Sequence, residues 1–371
     1  MTRIQNLNKP TKIVLLVIAA LFVYALPLLN PPFLSTPDID FGGVLFTCAA
    51  YALVALGLNI VIGYAGLLDL GYVGFYAVGA YTVGVLTVYH GSWPFFLVLP
   101  VAIVVTMISG VILGVPTLRV RGDYLAIVTL GFGEIIRLAV TNTDWVGASR
   151  GISNIPSPPS IPPGDNSDGL FEIPHIAWVN GQPLIDLDHK TKFLVFGVLD
   201  TVPFYWMILT ALILVLIGDY LVKRSRVGRA WEATREDEDA AELMGVPTFK
   251  FKLLAFALGA FIGGLSGAMF ATRQSHIDPI SFPLLLSMLF VASVVIGGSG
   301  NRWGAMLGGV LVAYLPERFR DFSDWRMLVF GIALMAMTIL RPQGLIPPIR
   351  TRRAKRAQQE IAELEGEESV A

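Results

Sequence analysis

The stretch WPFFLVLPVAIVVTMISGVILGV, Trp93–Val115, decides the fold, because its 23 residues contain no Asp, Glu, Lys or Arg. A bilayer core about 30 Å thick is crossed by about 20 apolar residues in helical form, so this segment predicts a transmembrane helix. Outward from it, apolar length and charge breaks give nine further candidates: 12–29, 41–62, 72–90, 124–141, 203–222, 253–274, 284–299, 303–316 and 325–341. Three of these, 72–90, 284–299 and 303–316, are short or interrupted by glycine. They are candidates for broken or re-entrant helices, which a membrane tolerates only where protein or a cavity covers the freed backbone. The run 12–29 follows Arg3, Lys9 and Lys12 as a secretory signal would, but it is long for one and no small-x-small cleavage site follows, so it is taken as a retained span.

Composition agrees. Of 371 residues, 54% are hydrophobic and 15% charged, against roughly 25% charged in soluble domains. Disordered, collagen-like and disulfide-framework classes are excluded, the last because Cys48 is the single cysteine. A net charge of −1 gives no bulk field for nucleic acid. The expected fold is all-α: a polytopic helical bundle in a lipid bilayer, with about ten transmembrane or broken helices. Residues 1–348 form the transmembrane domain and 349–371 a charged tail.

Lys and Arg set the orientation. With the N-terminus inside, 19 of the 27 basic residues fall in the inner segments 1–12, 116–123, 223–252, Arg302 and 341–371. Both termini are then cytoplasmic, although Arg318 and Arg320 run against the rule. Segment 142–192 becomes a long external loop, in which Pro156, Pro158, Pro159, Pro162 and Pro163 favour extended backbone and Asp165, Asp168, Glu172, Asp186 and Asp188 lean acidic. The tail runs from Arg350, Arg352, Arg353, Lys355 and Arg356 to a glutamate-rich end, which fits a headgroup contact or a solvated flank equally.

No phosphate loop is present. Gly297-Gly298-Ser299-Gly300-Asn301-Arg302-Trp303-Gly304 lacks the Gly-Lys-Ser/Thr that holds a phosphate, and Gly131-Phe132-Gly133 is shorter than a dinucleotide fingerprint. His90, His175, His189 and His276 are scattered without metal-ligand spacing, so no metal site is expected. No nucleophile-base or paired-carboxylate set points to a membrane enzyme, and the chain is expected to be non-catalytic.

Glycine carries more information. Gly259, Gly263 and Gly267, and Gly304 and Gly308, recur every four residues, which puts small residues on one helix face for close packing. Plain packing explains less well the string Asn59-Ile60-Val61-Ile62-Gly63-Tyr64-Ala65-Gly66-Leu67-Leu68-Asp69-Leu70-Gly71, where polar side chains and glycines interrupt a span. Broken helices of this kind point to substrate paths. Charges within or beside spans are few: Asp69, Glu134, Arg137 and Asp219. Glu134 and Arg137, three apart, form an intramembrane ion pair on one helix face; a structural role outweighs a path role for it. Asp69 has no basic neighbour in sequence.

The inner loop 223–252 is the most distinctive segment. Residues 229–244 favour one helix, stopped by Gly245 with Pro247 just beyond. Ala230, Ala233, Ala240, Ala241, Leu243 and Met244 leave a small apolar stripe among acids. Such a stripe suits docking of a cytoplasmic partner, and a solvated connector is the plain alternative.

Glu232-Ala233-Thr234 with Gly245 resembles the Glu-Ala-Ala…Gly coupling loop of ABC importer permeases. Gly57-Leu58-Asn59 through Gly71, Arg121-Gly122-Asp123-Tyr124 through Glu134-Ile135-Ile136-Arg137, and Val295-Ile296-Gly297-Gly298 with Gly300 and Trp303-Gly304 extend the likeness. In order and spacing these motifs resemble the permease subunit of branched-chain amino acid ABC importers, the longer of two types, over about residues 40–345. The resemblance implies an importer assembled from this permease, a second related permease, two cytoplasmic ATP-binding subunits and an external substrate-binding protein. ATP and Mg would then be held on the partner subunits, with no cofactor on this chain. It also implies that Glu232, Ala233, Arg235, Glu236, Asp237 and Gly245 belong to the coupling element, and that Asn59, Tyr64, Gly66 and Asp69 lie along the path. Thr234 in place of alanine and the long loop 142–192 depart from the pattern. The alternatives are a related importer for urea, amides or other amino acids, and a self-sufficient secondary transporter or channel.

Overall fold

A computed structural model describes residues 9–31, 34, 40–90, 93–120, 123–159, 172–179, 182–192, 195–197, 200–318, 328, 331–332, 335–336, 339–340 and 344–347. Among the described residues the helices are α1 (Lys9–Leu29), α2 (Phe41–Leu58), α3 (Tyr72–Gly84), α4 (Phe95–Thr117), α5 (Asp123–Thr141), α6 (Val202–Arg224), α7 (Arg226–Glu236), α8 (Glu238–Leu243), α9 (Thr248–Gln274), α10 (Leu284–Gly297) and α11 (Arg302–Arg318). Seven helical segments among the described residues have the length and apolarity to cross a membrane: Phe41–Tyr64, Tyr72–Tyr89, Phe95–Thr117, Tyr124–Thr141, Val202–Arg224, Thr248–Gln274 and Pro279–Gly297. The other three expected spans lie outside that set. Helix α1 contains the expected 12–29, apolar from Ile13 to Leu29. Charged Arg302, Glu317 and Arg318 occupy the ends of α11, and its interior is rich in glycine. Most of 325–341, and all of the tail 349–371, lie outside the described residues.

The surface of α4 shows why such a helix needs lipid. Val98, Ala102, Thr106, Gly110, Leu113 and Thr117 are buried at helical spacing, whereas Phe96, Leu97, Val104, Ile108 and Ile112 are all more than half exposed. In water that outer apolar face would aggregate; against hydrocarbon it is the required surface. Threonine hydroxyls inside the apolar environment are satisfied by the carbonyl one turn back, as Thr106 to Ala102 O and Thr117 to Leu113 O.

The chain divides into two compact units, Met1–Phe46 with Pro159–Thr210, and Thr47–Pro158 with Ala211–Ala371. In the first, α1 is tied to the start of α6: the Tyr205 hydroxyl donates to Val23 O at 2.9 Å and Trp206 Nε1 to Tyr24 O at 3.0 Å. In the second, α3, α4 and α9 pack closely, and glycine permits the closeness. A Cβ on Gly267 would lie 1.9 Å from the Tyr76 carbonyl oxygen, and one on Gly79 2.3 Å from that of Gly264, so the α3 and α9 backbones touch. The turn after α10 likewise folds α11 back on it, with Gly308 against the Ser293 carbonyl. The glycine repeat read as a packing face is therefore used as one.

The all-α expectation needs correction within and beside 142–192. Strand β1 (Ile152–Ser153) pairs antiparallel with β4 (His276–Ile277), and β2 (Glu172–Val179) pairs antiparallel with β3 (Gln182–Lys192), with a bulge between Pro174 and His175. The cause was present in the sequence: apolar-polar alternation in Ile185, Asp186, Leu187 and Asp188, and the dipeptide Asn180-Gly181 between the two strands, a strong hairpin signal.

Candidate functional site

The span that begins with α2 leaves the α-helical pattern at Asn59. Residues Asn59–Tyr64 form a π-helical turn, after which Ala65 N–H bonds to Ile60 O and Leu67 N–H reaches back to Val61 O. Gly66, at φ +74°, turns the chain out of the helix, and regular structure resumes only at Tyr72. The expected break at 59–71 is thus present. Wider-than-α turns leave carbonyls without helical partners, and those must be satisfied from elsewhere.

Three segments of the second unit supply partners. From the turn between α10 and α11, Gly300 N–H donates to Asn59 Oδ1 at 2.8 Å. From α6, Asp219 Oδ2 accepts from the Tyr64 hydroxyl at 3.2 Å and pairs with Arg302 Nη1 at 3.2 Å. Lys223, also on α6, lies over the Tyr64 ring at 4.4 Å and donates to Gly300 O at 2.9 Å. From α7, Arg235 Nη1 donates to the Gly63 carbonyl. The break is therefore a junction of four segments, and Asn59, Tyr64, Gly66 and Arg235 meet there. Asn59 Nδ2 and Asp219 Oδ1 are buried with no hydrogen-bond partner among the described residues.

Loop 223–252 is not one helix. Ser225 caps α7, its Oγ accepting from Val227 N–H at 3.1 Å. Asp237 adopts an extended conformation that ends α7, and its side chain caps α8 by accepting from Ala240 N–H at 2.9 Å. The short polar side chain offers the backbone a local alternative to continuing the helix. Gly245 stops α8 at φ +85°. The pair is fixed to α9 by Trp231, wholly buried, whose Nε1 donates to Phe251 O at 2.7 Å, and by the ion pair of Glu238 with Lys252. The expected alanine stripe splits: Ala230 and Ala241 turn inward and are buried, while Leu243 and Met244 are 89% and 85% exposed. Glu232 is half-buried and Glu236 exposed.

Asp69 lies near the far end of the break and is completely buried. Its Oδ1 accepts from Gly71 N–H at 2.9 Å, just before α3 begins. The adjoining Leu70 is held at both ends, its N–H donating to Thr129 Oγ1 and its carbonyl accepting from the Ser287 hydroxyl. Asp69 therefore serves the backbone turn that opens α3. Asp69→Asn, which keeps a carbonyl oxygen for Gly71, is expected to leave thermal stability near wild type, whereas Asp69→Leu is expected to cost about 2 kcal/mol by stranding a buried N–H. A melting curve of the purified protein in detergent checks both. On α5, Glu134 and Arg137 form the expected pair, half-buried, with Arg137 Nε 3.0 Å from Glu134 Oε2.

Trp231, Lys223, Ser287 and Thr129 were not singled out from sequence, and Arg302 was noted only as a charge in a turn. A tryptophan amid a charged inner loop was the available signal for an anchor. Among the described residues no group of His, Cys, Asp and Glu is arranged to hold a metal ion.

A family model described as "Branched-chain amino acid transport system / permease component" matches residues 41–338, which include the break, both short helices and the α10–α11 turn. The chain belongs to this permease family. It is 41% identical over 304 residues to the high-affinity branched-chain amino acid transport system permease protein LivM of Escherichia coli (strain K12), covering 81% of this chain and 68% of the relative. Over 132 residues it is 31% identical to LivH of the same organism, covering 33% and 42%. The ribose import permease protein RbsC of Haemophilus influenzae is 25% identical over 323 residues, covering 84% and 87%. No solved structure matches the chain. The permease is thus a multi-pass membrane protein whose conspicuous polar architecture lies where α7 meets the broken end of α2.

Proposed function

We propose that this permease is the longer transmembrane subunit of an ABC importer for branched-chain amino acids in a bacterial inner membrane. It assembles with a second, related permease, two cytoplasmic ATP-binding subunits and an external substrate-binding protein. Both termini of the chain and the α7–α8 pair lie on the cytoplasmic side, as its basic residues favour. ATP and Mg are bound on the partner subunits.

The observation that carries this proposal is the α7–α8 pair itself. It is fixed to α9 through Trp231 and presents Leu243 and Met244 to solvent. Large apolar residues so exposed amid a charged loop suit a groove on another protein. Closure of the ATP-binding subunits moves the pair as a rigid lever, and close glycine contacts let packed helices exchange one arrangement for another, opening the path to alternate sides. Glu232, Ala233, Glu236, Asp237 and Gly245 shape this lever and its stop. Asn59, Tyr64, Gly66 and Asp69 belong to the broken element that it works on.

A second reading concerns cargo alone: the relation to a ribose permease supports the same assembly carrying another solute. Affinity purification of the tagged chain from native membranes tests the assembly. Two ATP-binding chains and a second permease are expected in stoichiometric amounts; recovery of the chain alone would overturn it. ATP hydrolysis by that complex, with its binding protein and either leucine or ribose, then separates the cargoes.

A further inference from the structure

The contact between α7 and the broken end of α2 has a geometry that packing alone does not require. The Gly63 carbonyl lies in the π-turn, and the later N–H of Leu67 is already taken by Val61. Arg235 occupies it from α7. The aliphatic stem of the same arginine lies against Gly66: a Cβ there would sit 2.8 Å from Arg235 Cγ. One side chain thus grips both the last turn of the helix and the residue where the chain turns away. Behind this grip, Gly63 is pressed on its other side by Asn59 Oδ1 and Gly300 N, each within 2.5 Å of where its Cβ would be. Arg302 with Asp219, and Lys223 over Tyr64, close the junction.

We propose that Arg235 is the positioning residue that delivers movement of α7 to the transmembrane path, by pulling on the Gly63 carbonyl. This inference rests on the reading that α7–α8 docks on an ATP-hydrolysing partner. Other contacts fix the pair elsewhere: Trp231 and Glu238 hold it to α9, and the exposed apolar tip points away at Leu243 and Met244. Arg235 links the lever to the broken helix. The junction is also incompletely satisfied. Buried Asn59 Nδ2 and Asp219 Oδ1 without partners mark a network able to gain hydrogen bonds in a second arrangement, so it resists displacement less than a saturated one.

The test uses the whole complex, reconstituted in liposomes with its binding protein. Arg235→Met keeps the stem against Gly66 and removes the donor; Arg235→Lys keeps a charged donor. The Met variant is expected to retain its ATP-binding subunits and to hydrolyse ATP within twofold of wild type, while leucine uptake falls at least tenfold. The Lys variant is expected to recover a substantial part of that uptake. Should Arg235→Met fail to accumulate in membranes, Arg235→Gln, too short to bridge, takes its place with the same expectation. Unchanged uptake per ATP in the Met or Gln variant would overturn the proposal. So would parallel loss of bound ATP-binding subunits, which would make Arg235 a docking residue. If the wild-type chain retains no ATP-binding subunit, it is the docking reading that fails, and this proposal falls with it.

Discussion

Replacement of Leu243 and Met244 together by glutamate is expected to strip the ATP-binding subunits from the purified complex and to abolish ATP-driven uptake, without lowering the amount of permease in the membrane. Both side chains are more than four-fifths exposed, so the permease loses no internal packing when they change. In a complex they would be buried. Burial of a leucine- or methionine-sized side chain is worth about 2 kcal/mol, so two give about 4 kcal/mol, or roughly a thousandfold in affinity. Placing charge in the same groove adds a desolvation cost. Quantitative immunoblots of permease and ATP-binding subunit in the same eluate measure the effect. Retention of the partner by the double variant would show that α7–α8 docks through its acidic face or does not dock.

Gly267→Ala is expected to destabilise the permease by about 3 kcal/mol, the upper part of the range for overpacking a tight core. Its new methyl would stand 1.9 Å from the Tyr76 carbonyl oxygen, a backbone atom that no rotamer change can move aside. The α3 and α9 helices would have to separate, and the contact of Gly79 with Gly264 would open with them. Gly218→Ala on α6 is the matched control, since a Cβ there meets nothing within 4 Å. Its expected effect is zero to slightly stabilising, because alanine is the better helix former. Detergent melting curves distinguish the two; equal midpoints would show that α3 and α9 do not pack backbone to backbone.

Much of this architecture could be read from residues alone, for identifiable reasons. Apolar length without charge marks a span directly, and α4, α6 and α9 fall within a few residues of their expected limits. The glycine repeat announced close packing, and polar residues spaced with glycines at 59–71 announced the break. What escaped was tertiary. Sequence cannot tell which of Ala230, Ala241, Leu243 and Met244 turns inward, because that depends on where Trp231 anchors α7 on α9. The split of the inner helix at Asp237 depends on its side chain capping the next helix instead of continuing the first. The partners of Asp219, Tyr64 and Arg302, come from residues far along the chain, which no local pattern announces. The hairpin of β2 and β3 was legible in Asn180-Gly181 and was masked by a proline-rich neighbourhood.

The central claim, that this chain conducts solute only when driven by ATP on partner subunits, is tested most directly by uptake of labelled leucine into liposomes. One set holds the assembled complex with its external binding protein; the other holds this chain alone. Accumulation against a gradient is predicted in the first set when ATP is enclosed, none when ATP is omitted, and none in the second set under either condition. Leucine uptake by the chain alone, without ATP, would contradict the account.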